Sequence, residues 1–273
     1  MINKIKIFFK TLFKEISRVE MQFLPGQIAF HFVLSMIPII TILSIIITRF
    51  SFSIGDINQL FNNSLPTGVA NLLLDLFKFK GSNINNIIFI ISSFILASNG
   101  SYSIVVATNI IYSIDDPNTI KKRIKSFIMT IVITFLLLFM LLVPAFGDSI
   151  LALIMSIFKK EAIIHIISRA YHILKTPLSI LFIFIGIKIL YTMAPSKKIK
   201  SKETTIGALA TTFSWIIATK AYSLYVSNFV HYDLFYGSIS NVLILLLWVY
   251  LLAYLFVLGI AMNASLYKKI NQD

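Results

Sequence analysis

No cysteine occurs among the 273 residues. That excludes a disulfide framework, a thiolate metal site and a thiol nucleophile. Acids are scarce as well: 11 Asp and Glu stand against 24 Lys and Arg, giving a formal net charge of +13. No acid falls within any of the long apolar runs, so carboxylate-based proton coupling inside a membrane has no residue to carry it. Only a histidine route through His31 stays open. The 4 histidines, His31, His165, His172 and His231, are scattered and form no His-x-His-x-Asp-His run. Metal-dependent nucleases need such ligands clustered on facing positions. A glycine-rich phosphate loop is missing too. The expectation is a protein that is not an enzyme and holds neither metal nor cofactor.

What the chain does have is hydrocarbon. Apolar residues make up 58% and charged residues only 13%. The stretch Tyr236–Leu266 is the clearest, uncharged over Ile239–Leu258. About 20 apolar residues rising ~1.5 Å each cross a ~30 Å hydrocarbon layer. The same logic repeats along the chain and predicts an all-α integral membrane protein with six transmembrane helices, at about 28–48, 86–112, 127–147, 177–194, 205–228 and 239–264. In 1–26, Ile2, Ile5, Phe9, Leu12, Ile16, Val19 and Phe23 recur every three or four residues, with Lys4, Lys6, Lys10, Lys14 and Arg18 between them. This predicts an N-terminal amphipathic basic interfacial helix, ended by Pro25-Gly26. Charges recur too often for a signal peptide. The six-span domain covers 27–267, and 268–273 is a tail. In the long first connection, Val69, Leu72, Leu73, Leu76 and Phe77 share one face and predict a short surface helix. Residues 148–176 are mixed and either continue a helix or lie on the surface.

The basic residues fall in short clusters between apolar runs, which argues for anionic headgroups at the cytoplasmic face and against nucleic acid. With the N-terminus inside, 15 of the 24 Lys and Arg lie on inner segments and 7 on outer ones, Lys188 and Lys220 being within spans. Both termini are therefore expected in the cytoplasm. Two halves of three spans would then have inverted topology, although no residue-level repeat links them.

Polar residues inside the spans are the site candidates, because bare amides and ammonium groups do not tolerate acyl chains. They are His31, Ser35, Asn99, Ser101, Asn109, Lys188, Lys220 and Asn263. Two readings stay open: hydrogen bonding between helices with the lysines snorkelling, or a polar path that attracts an anionic solute or headgroup. Pro38 predicts a kink in the first span, with Ser35 or a neighbouring helix serving the freed backbone. Gly100, Gly207, Gly237 and Gly259 are expected at close approaches, and Trp248, well inside its span, in packing.

The residues also carry a resemblance. Ala29, Phe30, Ser35 and Pro38, then Asn99-Gly100 with Asn109 and Tyr112, then Leu190-Tyr191, Pro195 and Gly207-Ala208, and finally Tyr236-Gly237, Leu247-Trp248-Val249-Tyr250, Gly259 and Asn263 occur in order on the expected spans. This series resembles the YihY/BrkB family of bacterial inner-membrane proteins. The resemblance implies a multi-pass protein of the inner (cytoplasmic) membrane with no agreed activity. Transport of lipid-linked or other envelope material has been proposed for members, and an older ribonuclease label was attached to some. One position departs from the family pattern: Ala261 stands where its Gly-Ala-Glu-x-Asn motif has the acid. The leading expectation is a transporter or flippase-like protein for an anionic or lipid-linked substrate. A non-transporting membrane scaffold or envelope-assembly partner is the alternative, and a membrane-bound nuclease a remote one. The expected partners are membrane lipids, and a homo-oligomer stays open.

Overall fold

A computed structural model describes residues 13, 16–49, 58, 61–62, 65–78, 87–137, 161–229 and 237–270. Among these, every regular element is helical. In chain order they are α1 (Glu20–Arg49), α2 (Thr67–Lys78), α3 (Ile87–Tyr112), α4 (119–137), α5 (Glu161–Met193), α6 (Thr205–Phe229), a single 3₁₀ turn (Gly237–Ile239) and α7 (Ser240–Ile270).

The last helix is the axis of the fold. It touches α1, α2, α3 and α6, and its buried residues Ile244, Leu245, Trp248, Val249, Ala253, Phe256, Val257, Ile260, Ala261 and Ala264 return at helical spacing. Its outward side is apolar as well, with Leu246, Leu247, Tyr250 and Tyr254 exposed. A helix apolar all round suits a lipid surround. In lipid such faces gain little by leaving solvent, so close packing and polar pairing must hold the helices together.

Among the described residues, four helical stretches are long and apolar enough to cross a membrane: Glu20–Ile40, Ile91–Tyr112, Thr176–Met193 and Ser240–Lys268. The expected span at 205–228 is helical, yet its threonines, serines and Lys220 keep it out of that set. The span expected at 127–147 lies within the described residues only as far as 137.

Local expectations needed correcting. Pro25-Gly26 does not end a helix, because α1 begins at Glu20 and runs through both Pro25 and Pro38. Pro25 sits little more than a turn into α1, where its missing N–H deprives only the Met21 carbonyl, and Met21, Leu24 and Ile28 around it are buried. Most of the expected interfacial helix lies outside the described residues. Of the two readings left open for 148–176, the described part is helical, since α5 runs from Glu161 through Pro177 to Met193. The short helix expected in the first connection is present as α2: Val69, Ala70, Leu73 and Leu74 are buried against α7 and α1, while Asn71 and Asp75 are exposed on its outer side. Its Gly68 fits under Ile244 and Asn241, at 3.0 Å from each for an added Cβ.

At its C-terminus α3 closes with Ser113 at φ +57°. The Ser113 N–H donates to the Ile110 carbonyl (3.0 Å) and the Ile114 N–H to the Asn109 carbonyl (2.8 Å). This paired closure turns the chain sharply out of the helix. The Asn118 side chain then accepts from the Lys121 N–H (2.9 Å) and caps α4.

Candidate functional site

The polar residues fall into contacts between particular pairs of helices. Where α1 crosses α3, the buried Ser35 hydroxyl donates to the His31 carbonyl (2.7 Å) and accepts from the Gly100 N–H (3.0 Å). An added Cβ at Gly100 would lie 3.0 Å from Ser35 Oγ, so the helices meet backbone to side chain. Ser35 therefore does not serve the carbonyl that Pro38 frees; its hydroxyl joins the two helices instead.

Between α3 and α4, the Ser101 and Thr130 hydroxyls pair at 2.8 Å. Asn99 accepts from Arg123 Nη1 at 2.8 Å, and that guanidinium lies 5.7 Å from the Tyr102 ring centroid and 5.2 Å from that of Phe127. The arginine is thus held by an amide and two aromatic faces.

Between α6 and α7 the contact is tighter. The Gly207 N–H donates to the Asn263 side-chain oxygen at 2.8 Å. Tyr191, from α5, shares a 2.7 Å hydrogen bond with Thr211 and donates to the Phe256 carbonyl at 2.7 Å. A Cβ on Gly207 would run into the Gly259 carbonyl, and one on Gly259 into the Thr211 and Tyr191 hydroxyls. Only hydrogen fits at both positions. Gly237 differs, since nothing lies within 4 Å of an added Cβ; that position is set by its φ of +50°, which suits glycine. Trp248 is buried, and its Nε1–H reaches Thr219 Oγ1 at 3.3 Å.

A fourth contact ties the end of α3 and the connection after it to the connection after α5, at one end of the bundle. Asn109 Nδ2 donates to the Ser196 hydroxyl (2.7 Å), and the Ser196 N–H donates to Asn109 Oδ1 (2.8 Å). Ser196 also hydrogen-bonds the Asp116 carboxylate; that bond first, and the Asn118 N–H second, hold the Asp116 carboxyl below the usual carboxylate range. The Lys122 ammonium donates to the Asp116 carbonyl (2.8 Å), the Lys125 ammonium to the Pro195 carbonyl, and Lys268 to the Ile111 carbonyl (3.4 Å). Burial pushes the Lys125 amine below its ordinary value, with Asp116 opposing the shift. So 113–125, 194–204 and the end of α7 meet at one basic end.

The expected residues are therefore not gathered in one chamber. Asn99, Asn109 and Asn263 each pair with a protein group, and neither Lys188 nor Lys220 is among those partners. Lys188 lies 5.7 Å over the Phe184 ring of its own helix, and Lys220 is exposed on α6. His31 is half-buried against Phe30, with ring centroids 5.5 Å apart. The side chains of His165, His172 and His231 lie outside the described residues. Among the described residues, no group of three His, Cys, Asp or Glu could hold a metal ion.

Sequence reasoning missed Arg123, Thr130, Tyr191 and Ser196 as partners. A usable signal existed only for Arg123, whose spacing of four from Phe127 puts the cation and ring on one helical face.

At the basic end, among the described residues, lies a shallow groove of about 380 Å³. Lys121, Ile124, Lys125 and Ile128 of α4 line it with Met193 of α5.

Long helices with largely apolar outer sides, whose buried amides and hydroxyls meet where the helices touch, define a multi-pass helical membrane protein. Residues 12–273 match the family described as Virulence factor BrkB, and the chain belongs to that family. It is 30% identical to a ribonuclease-like protein, YfkH, of Bacillus subtilis, over 96% of both chains. It is 26% identical to a UPF0761 membrane protein of Vibrio parahaemolyticus, over 95% of this chain and 82% of that one. A UPF0761 membrane protein of Vibrio campbellii is 24% identical over 95% of this chain and 82% of its own. No solved structure gives a significant match.

Proposed function

We propose that this chain is a transporter or flippase-like protein of the bacterial inner membrane that handles an anionic or lipid-linked envelope substrate. It crosses the membrane six times with both termini cytoplasmic, and it has no catalytic role. One observation carries the reading. The end of the bundle tied together by Asn109 and Ser196 gathers Lys121, Lys122, Arg123, Lys125, Lys197, Lys198, Lys200, Lys202 and Lys268 against only Asp115, Asp116 and Glu203. Such an excess holds that end in the cytoplasm and draws anionic headgroups to it. The name of the Bacillus relative points to nucleic acid, and a metal-dependent nuclease would need clustered metal ligands.

The scaffold reading keeps a specific support: the span amides are spent on helix contacts, which a rigid assembly partner needs and a polar conduit does not. Reconstituted vesicles carrying a headgroup-labelled anionic phospholipid in both leaflets separate the two. With an impermeant reductant outside, a flippase-like protein exposes the inner-leaflet label, and the signal falls below that of protein-free vesicles. A signal equal to that of protein-free vesicles sinks the transport reading for phospholipid and favours the scaffold.

A further inference from the structure

The groove at the start of α4 combines two features that seldom coincide. Lys121 and Lys125 lie one turn apart on the same face, where like charges repel. Lys121 also sits in the first turn of the helix, where its dipole disfavours cations. No acid lines the groove with them. A carboxylate that acts on both, Asp116, does so from outside the lining and is already engaged by Ser196 and the Asn118 N–H. The Lys125 ammonium is nevertheless fixed there by the Pro195 carbonyl. The lining itself is almost wholly hydrocarbon, from Ile124, Ile128, Met193 and the carbon stems of the two lysines. The same face continues along α4 through the exposed side chains of Ile131 and Phe135.

Charge at one end and an apolar track leading away from it match one kind of molecule. We propose that this groove binds a single anionic phospholipid of the surrounding bilayer. Its phosphate lies between Lys121 and Lys125, and one acyl chain runs over Ile124 and Ile128 toward Phe135. The phosphate offsets the repulsion between the two ammonium groups, and the chain covers an apolar face that α5 leaves open. A soluble anion would use the lysines but not the track. A zwitterionic lipid would use the track, but its own cation would meet the lysines. The proposal rests on the reading that this basic end meets the anionic cytoplasmic leaflet.

The test is native mass spectrometry of the full chain in mild detergent, equilibrated with equal amounts of phosphatidylglycerol and phosphatidylcholine. The wild-type chain retains phosphatidylglycerol in preference. Lys121→Gln/Lys125→Gln lowers that retention about 30-fold, while Lys121→Arg/Lys125→Arg keeps it. Ile124→Trp leaves both cations in place but fills the groove, and it too loses the lipid. Melting temperatures in phosphatidylcholine micelles establish that each variant is folded. Equal retention of the two lipids would overturn the proposal, as would retention unchanged in both the Gln and Trp variants. Displacement of phosphatidylglycerol by inorganic phosphate alone would do the same, since it marks a soluble-anion site. Running the vesicle assay on the same proteins separates the two ideas. Lysine-dependent retention without transport removes the transport reading and leaves the groove; transport without retention does the reverse.

Discussion

Gly207→Ala is expected to cost about 3 kcal/mol, a large share of a typical folding free energy of about 5–15 kcal/mol. The new methyl group would meet the Gly259 carbonyl, which is backbone and cannot rotate away. Helices α6 and α7 must then separate, which stretches the Gly207 N–H bond to Asn263 and strands a buried amide oxygen. Asn263 is fully buried and its Nδ2 is already without a partner, so the residue has no second bond to fall back on. Gly186→Ala serves as the control. There the added Cβ lies 3.4 Å from Leu136 Cδ1, an ordinary contact, and alanine is favoured over glycine within a helix by roughly 0.5–1 kcal/mol. Melting followed by size-exclusion chromatography in detergent should drop on the order of 10 °C for Gly207→Ala and not at all for Gly186→Ala. Equal melting temperatures would mean that α6 and α7 do not meet at these glycines.

Asn109→Ala should be the next most damaging change, at about 2 kcal/mol. Both halves of this buried amide are used by one residue, Ser196, so its loss leaves the Ser196 backbone N–H to find a new partner and its hydroxyl with Asp116 alone. Ser196→Ala should cost about half as much, because its N–H still reaches Asn109 Oδ1. The signature is local as well as global. Freed of Asn109, the 194–204 connection should be cut faster by trypsin at its lysines, with cleavage elsewhere unchanged. If proteolysis at that connection stays at the wild-type rate, Asn109 is not what holds it to the end of α3.

These two sites show what could and could not be read from the chain. The role of α7 was legible because length and unbroken apolarity leave a span no alternative. Asn99, Asn109 and Asn263 were legible as groups that must find polar company. Their partners were not, since Arg123 and Ser196 lie in or beside connections and meet them only after the bundle closes. Glycine marks close approach without saying to what, so Gly207 and Gly259 were recognisable while their mutual contact was not. Gly237, read the same way, turned out to be a matter of backbone angle. The break expected at Pro25 failed because a proline near a helix start forfeits a single bond, which the buried Met21, Leu24 and Ile28 outweigh. For 161–176 a continued helix and a surface segment both stayed open, because scattered cations are no obstacle to a helix and no sign of one.

The central claim is that hydroxyl and amide groups inside the spans face one another across helix contacts, not lipid. The absence of cysteine makes one test free of background. An added Cβ at Gly100 would lie 3.3 Å from that of Ser35, close to the roughly 3.5–4.5 Å of a disulfide. Ser35→Cys/Gly100→Cys, with a protease site inserted between α1 and α3, should form an intramolecular bond in native membranes under mild oxidation. The two fragments then run together on a non-reducing gel and separate on reduction. Fragments that separate without reductant, from protein that carries two free thiols, would contradict the account.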